Sequence, residues 1–73
     1  METTIFLLNE EDEKIVKTAI EKANTSQGWN ITYEIKRVIY RNREINEQKY
    51  VVIHVNEGEQ LLYLGMYLAR LGF

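Results

Sequence analysis

The segment from Leu61 to Phe73 reads LLYLGMYLARLGF and carries one charge, Arg70. A run this apolar must be covered on more than one side, which restricts the folds open to the chain. Leu61, Leu64, Leu68 and Leu71 recur at helical spacing and form a core stripe flanked by Tyr67. A second strip, Leu62, Gly65, Met66 and Ala69, adjoins the first, and only Tyr63 and Arg70 point away from both. An amphipathic surface helix keeps a broad polar face; this one does not. Gly65 inside a helix costs about 1 kcal/mol relative to alanine. Such a glycine is tolerated where another backbone comes close. The second strip is therefore covered either by the first helix of the same chain or by another molecule. A membrane surface fits less well, because the segment lacks a Lys/Arg-rich polar face and is too short to span a bilayer.

Size strengthens the case for a partner. Seventy-three residues make a single domain, residues 1–73. A chain of this length buries only about 60% of its unfolded surface. It has no cysteine, so neither disulfides nor thiolate metal sites can staple it. Stability must come from a well-filled core or from oligomerisation. Burying about 400 Å² of apolar helix surface would yield roughly 10 kcal/mol gross at about 25 cal/mol per Å². Association entropy removes much of that; a homodimer in the micromolar range or tighter is the expectation. The 45% apolar content argues against disorder. The absence of cysteine fits a reducing cytoplasm, and METTIFLLNEEDE has no basic segment before its short apolar run, so no signal peptide is expected.

The net charge of −2 gives no general bias toward polyanions, but the charges are unevenly placed. Residues 1–24 hold six acids and three lysines, whereas residues 33–50 hold five bases and three acids. Head-to-tail self-association and weak polyanion contact are both compatible with that dipole.

Periodicity gives the order β-α-β-β-α. Thr3–Leu8 is a strand whose continuous apolar run predicts a central position or cover on both faces. Asn9 and Asp12 form a capping signature before a helix to about Asn24, with Ile15, Val16, Ala19, Ile20 and Ala23 on one face. The residues NTSQG turn the chain. Trp29, Ile31, Tyr33, Ile35, Arg37 and Ile39 then alternate as the core-facing set of a long second strand, Arg37 being the exception. After a polar connection, Arg41–Glu47, the strand Gln48–Asn56 is largely apolar on both faces. Glu57-Gly58-Glu59 turns into the last helix, ended by Gly72. The expected fold is a small α+β two-layer sandwich with a three-stranded mixed sheet. A right-handed crossover would set strand 1 parallel to strand 2, strands 2 and 3 would form an antiparallel hairpin, and both helices would cover one face.

Catalytic signals are weak, and no enzyme is expected. His54 is the only histidine and Ser26 the only serine, and nothing in their spacing joins them. The acids Glu10, Glu11, Asp12 and Glu13 lack the spacing of a calcium loop, and the four glycines are too dispersed to cradle phosphate. No metal or cofactor is expected. Two binding readings remain. The first is a non-enzymatic interaction domain, homodimeric or bound to another protein, using Leu62, Gly65, Met66, Ala69, Tyr63 and Phe73, with Tyr40, Tyr50 and Val52 as a second surface. The alternative is a small nucleic-acid-binding domain. There Lys36, Arg37, Arg41, Arg43 and Lys49 would meet phosphates while interleaved tyrosines stack on bases.

Overall fold

The computed structural model describes residues 1–41 and 45–73. Five elements follow in order: β1 (Glu2–Leu7), α1 (Glu10–Gln27), β2 (Thr32–Arg41), β3 (Ile45–His54) and α2 (Gly58–Arg70). The strands form one antiparallel sheet in the order β1-β3-β2. This corrects the expected mixed sheet: strand 1 pairs with strand 3, and β3 separates it from strand 2. β1 and β2 still point the same way, since each is antiparallel to β3, but they are not neighbours. The reason lies in β3 itself. Val51 and Ile53 are fully buried on one face, while Tyr50 and Val52 are half-buried on the other. With Val51 and Ile53 in the middle of the core, β3 is flanked on both sides, by β1 and by β2.

The same correction demotes β1. Its apolar run signalled a central strand, yet β1 is an edge, and Phe6 and Leu8 are exposed. Leu7 alone on β1 is fully sequestered, although Ile5 packs against the core.

α1 begins as its sequence implies. Asn9 accepts from the Asp12 N–H at 2.9 Å, and the Asp12 carboxylate accepts from the Leu8 N–H at 2.9 Å. Four acids in the first turn complement the helix dipole, and Glu13 reaches Lys17 at 3.6 Å. The helix then runs through Asn24, Thr25 and Ser26 to Gln27, beyond the expected stop. Gly28, at φ 68°, supplies the left-handed ending. The Asn24 side chain lies half-buried and clamps the next strand's approach, donating to the Ile31 carbonyl at 3.0 Å and accepting from its N–H at 2.8 Å. That clamp offsets the low helix propensity of the segment.

Both helices lie on one face of the sheet. Val16, Ala19, Ile20 and Ala23 of α1 and Leu64 and Leu68 of α2 join Leu7, Val51 and Ile53 in one core. The N-terminus of α2 is closed by buried Gln60, whose side-chain oxygen accepts from the Asn56 N–H at 2.8 Å. The opposite sheet face is open. The β2–β3 hairpin continues past the end of β1, pairing residues 38–41 with residues 45–48, and the molecule measures 46 × 24 × 15 Å.

Candidate interaction surface

α2 is held between α1 and β1. On one side the Tyr63 ring meets Trp29 edge-on, with centroids 5.5 Å apart, and Arg70 lies 5.9 Å from the centre of the Tyr67 ring. The Tyr67 hydroxyl sits below the usual phenol range. The Ser26 hydroxyl is the main cause; partial burial opposes it, and Gln27, Arg70 and Lys22 assist. On the other side both ends of α2 lie beside both ends of β1. A side chain at Gly58 would meet the Met1 methyl at 4.0 Å. At the far end Phe73, Ile5, Phe6, Leu8 and Asp12 line a groove of about 320 Å³. Phe73 is brought there by the helix ending: Gly72 adopts φ 86°, its N–H donates to the Ala69 carbonyl, and the Phe73 N–H reaches back to Leu68 at 3.0 Å.

This arrangement settles what α1 covers. Tyr67 lies beside Ser26 and Gln27 at the end of α1, and Tyr63 packs on Trp29 in the segment that follows it, so both are half-buried within the chain. The strip Leu62, Gly65, Met66 and Ala69 lies on the opposite flank and is exposed. Leu62 is 69% exposed, Met66 47% and Phe73 46%. Among the described residues nothing lies within 4 Å of the position a Gly65 Cβ would take, so they do not make the close approach expected at this glycine.

The second expected surface is divided. Tyr50 is half-buried on the open sheet face, its ring 6.0 Å from that of Phe6. Val52 lies beside it in the strand, and Tyr40 is exposed on the projecting hairpin. Phe6 and Leu8, which sequence reasoning assigned to the interior, are 57% and 83% exposed. They belong with the apolar surface. Their signal was the uninterrupted run Ile5–Leu8, which on an edge strand leaves alternate side chains without cover.

The described bases of the hairpin divide between the two sheet faces. Strand alternation sends Lys36, Tyr40 and Tyr50 to one face and Arg37, Arg41 and Lys49 to the other. Lys36 lies 3.8 Å from Glu34 and Arg37 lies 3.3 Å from Glu47. Lys49 shares a groove with Glu10, Glu13 and Glu47. Arg43 lies outside the described residues. His54 Nδ1 lies 3.2 Å from the Glu2 carboxylate. Among the described residues, no group of three or more His, Asp or Glu side chains is placed to hold a metal ion, and no helix is long and apolar enough to cross a membrane.

The exposures set an energy scale. In each copy the free fractions of Leu62, Met66 and Phe73 amount to about one and a half whole side chains, and a symmetric contact buries that set twice, for roughly 5–10 kcal/mol gross. That lies within the roughly 4–15 kcal/mol that association costs. Adding Phe6 and Leu8 brings the exposed total to about three side chains per copy, or roughly 9–18 kcal/mol when buried twice. The strip and the β1 edge together expose about twice the apolar surface of the strip alone.

Compared with known protein families, curated proteins and solved structures, the chain matches none.

Proposed function

We propose that this chain is a non-enzymatic protein-interaction domain that forms a homodimer through the outer flank of α2. The observation that supports this is the exposure of Leu62, Met66 and Phe73 around Gly65, a glycine with open space above it in mid-helix. Scattered exposed apolar side chains are ordinary on soluble proteins. Here they are contiguous along one helix flank and meet the exposed Leu8 and Phe6 at its end, the pattern associated with interaction sites. The cysteine-free sequence suits a reducing compartment, and the reading places the protein in the cytoplasm. The nucleic-acid alternative draws less support, since its bases are split between two faces and set beside acids.

The test is the pair of substitutions Leu62→Lys and Met66→Lys. Both side chains are exposed, so the monomer should keep its far-ultraviolet circular dichroism and its stability within about 0.5 kcal/mol. Association measured by sedimentation should be lost. Unfolding of the variants, or unchanged association, would show that the flank is not a contact surface.

A further inference from the structure

We infer that two copies of this chain join through their β1 edges as well as α2, pairing β1 antiparallel to β1 about a twofold axis at Thr4. The inference rests on the reading of α2 as an association surface and adds how the partner sits. Four observations lead to it.

First, the pairing pattern fixes which backbone groups of β1 are free. The Val55 N–H donates to the Met1 carbonyl at 3.0 Å. In an antiparallel ladder hydrogen-bonded pairs alternate with non-bonded ones. With the observed register, Thr3, Ile5 and Leu7 therefore bond to β3. The peptide groups of Glu2, Thr4 and Phe6 point outward along the open edge. The next outward N–H, that of Leu8, is taken by Asp12 at 2.9 Å, which closes the edge at that end.

Second, the two edges of the sheet differ in protection. Edges are normally blunted by charges, lysine above all, or by proline and bulges. β2 carries Glu34, Lys36, Arg37 and Arg41. β1 reads ETTIFL, with Glu2 its only charge.

Third, the α2 flank alone offers about half the exposed apolar surface that the flank and β1 edge offer together. An edge-to-edge dimer brings both into one interface, because α2 lies along β1 from Met1 to the Phe73 groove.

Fourth, the geometry is self-complementary, which selects a second copy over an unrelated strand. An isologous contact needs its strand and helix centred on one axis. Thr4 is three strand steps from Met1, about 10 Å. About 10 Å along α2 from Gly58, its neighbour at Met1, is about seven residues, which is Gly65. An axis centred on Thr4 sets Thr4 opposite Thr4 and Glu2 opposite Phe6, and it crosses the two α2 helices at their glycines. The open space at Gly65 is then where the partner's helix comes closest. The product is a continuous six-stranded sheet with β1 removed from solvent.

Sedimentation equilibrium is run on the full chain and on Thr4→Pro, Thr4→Lys and Met66→Lys, with hydrogen exchange of individual amides below and above the dimerisation midpoint. Proline at Thr4 removes only an outward N–H, so the β1–β3 ladder stays intact. Lysine there sets two like charges face to face across the axis. Each Thr4 variant should raise the dimer dissociation constant by roughly tenfold or more, with the circular dichroism unchanged. In the unsubstituted chain the Thr4 and Phe6 amides should become protected only above the midpoint. If Met66→Lys dissociates the dimer while both Thr4 variants associate normally, β1 pairing is overturned and the α2 surface stands. Thr4 and Phe6 amides that exchange freely in the dimer would overturn it as well. A chain that stays monomeric throughout overturns both readings.

Discussion

Gly65→Ala separates folding from association in one substitution. In the isolated chain Gly65 is a mid-helix residue with nothing among the described residues within 4 Å of a would-be Cβ. Alanine there meets no obstacle and gains the helix-propensity difference, about 0.8–1 kcal/mol. For a domain of this size each kcal/mol moves the melting temperature by about 4–8 °C, so the monomer should melt about 4–8 °C higher. In the dimer the same methyl appears twice where the two helices cross. Overpacking a fitted contact costs about 1–3 kcal/mol, and about 1.4 kcal/mol is a factor of ten, so the dissociation constant should rise about tenfold. The assay is thermal unfolding well below the dimerisation midpoint, paired with sedimentation above it. A variant that melts higher and dimerises as well or better would refute the helix crossing at Gly65. One that melts no higher would refute the claim that this position is open in the monomer.

Other outcomes test the fold beneath the surface. Asn24→Ala removes both hydrogen bonds to Ile31 and leaves its peptide groups part-buried without them, so urea unfolding should show a loss of about 1–3 kcal/mol. Ultraviolet titration should find Tyr67 ionising below the ordinary tyrosine value of about 10, with Ser26→Ala moving it back up. Because the folded state favours the phenolate, the ionisation of Tyr67 adds nothing at neutral pH. Its contribution relative to Tyr67→Phe should appear as pH rises through the lowered folded value and level off above about 10.

Much of this architecture was legible in the sequence. The α1 cap was readable because Asn9 and Asp12 sit at the spacing that puts acceptors on free N–H groups, and the α2 stop because Gly72 accommodates positive φ. The two flanks of α2 could be separated by spacing alone. Strand order could not. Alternation reports which face of a strand is covered but says nothing about its neighbours, and the Ile5–Leu8 run looked central because covered and exposed apolar residues share one composition. The continuation of α1 through NTSQ depended on the Asn24 clamp, a contact with a residue seven positions on. The placement of Arg37 and Lys36 on opposite faces was already implicit in their adjacency, yet charge counting along the chain hid it.

The central claim is that the flank of α2 around Gly65 is covered by a second copy of the chain. Sedimentation equilibrium of the unsubstituted protein tests it most directly. A reversible monomer–dimer equilibrium with a micromolar midpoint, corresponding to about −8 kcal/mol at 1 μM, is the predicted result. A single monomeric species at about 100 μM, some hundredfold above that midpoint, would contradict it.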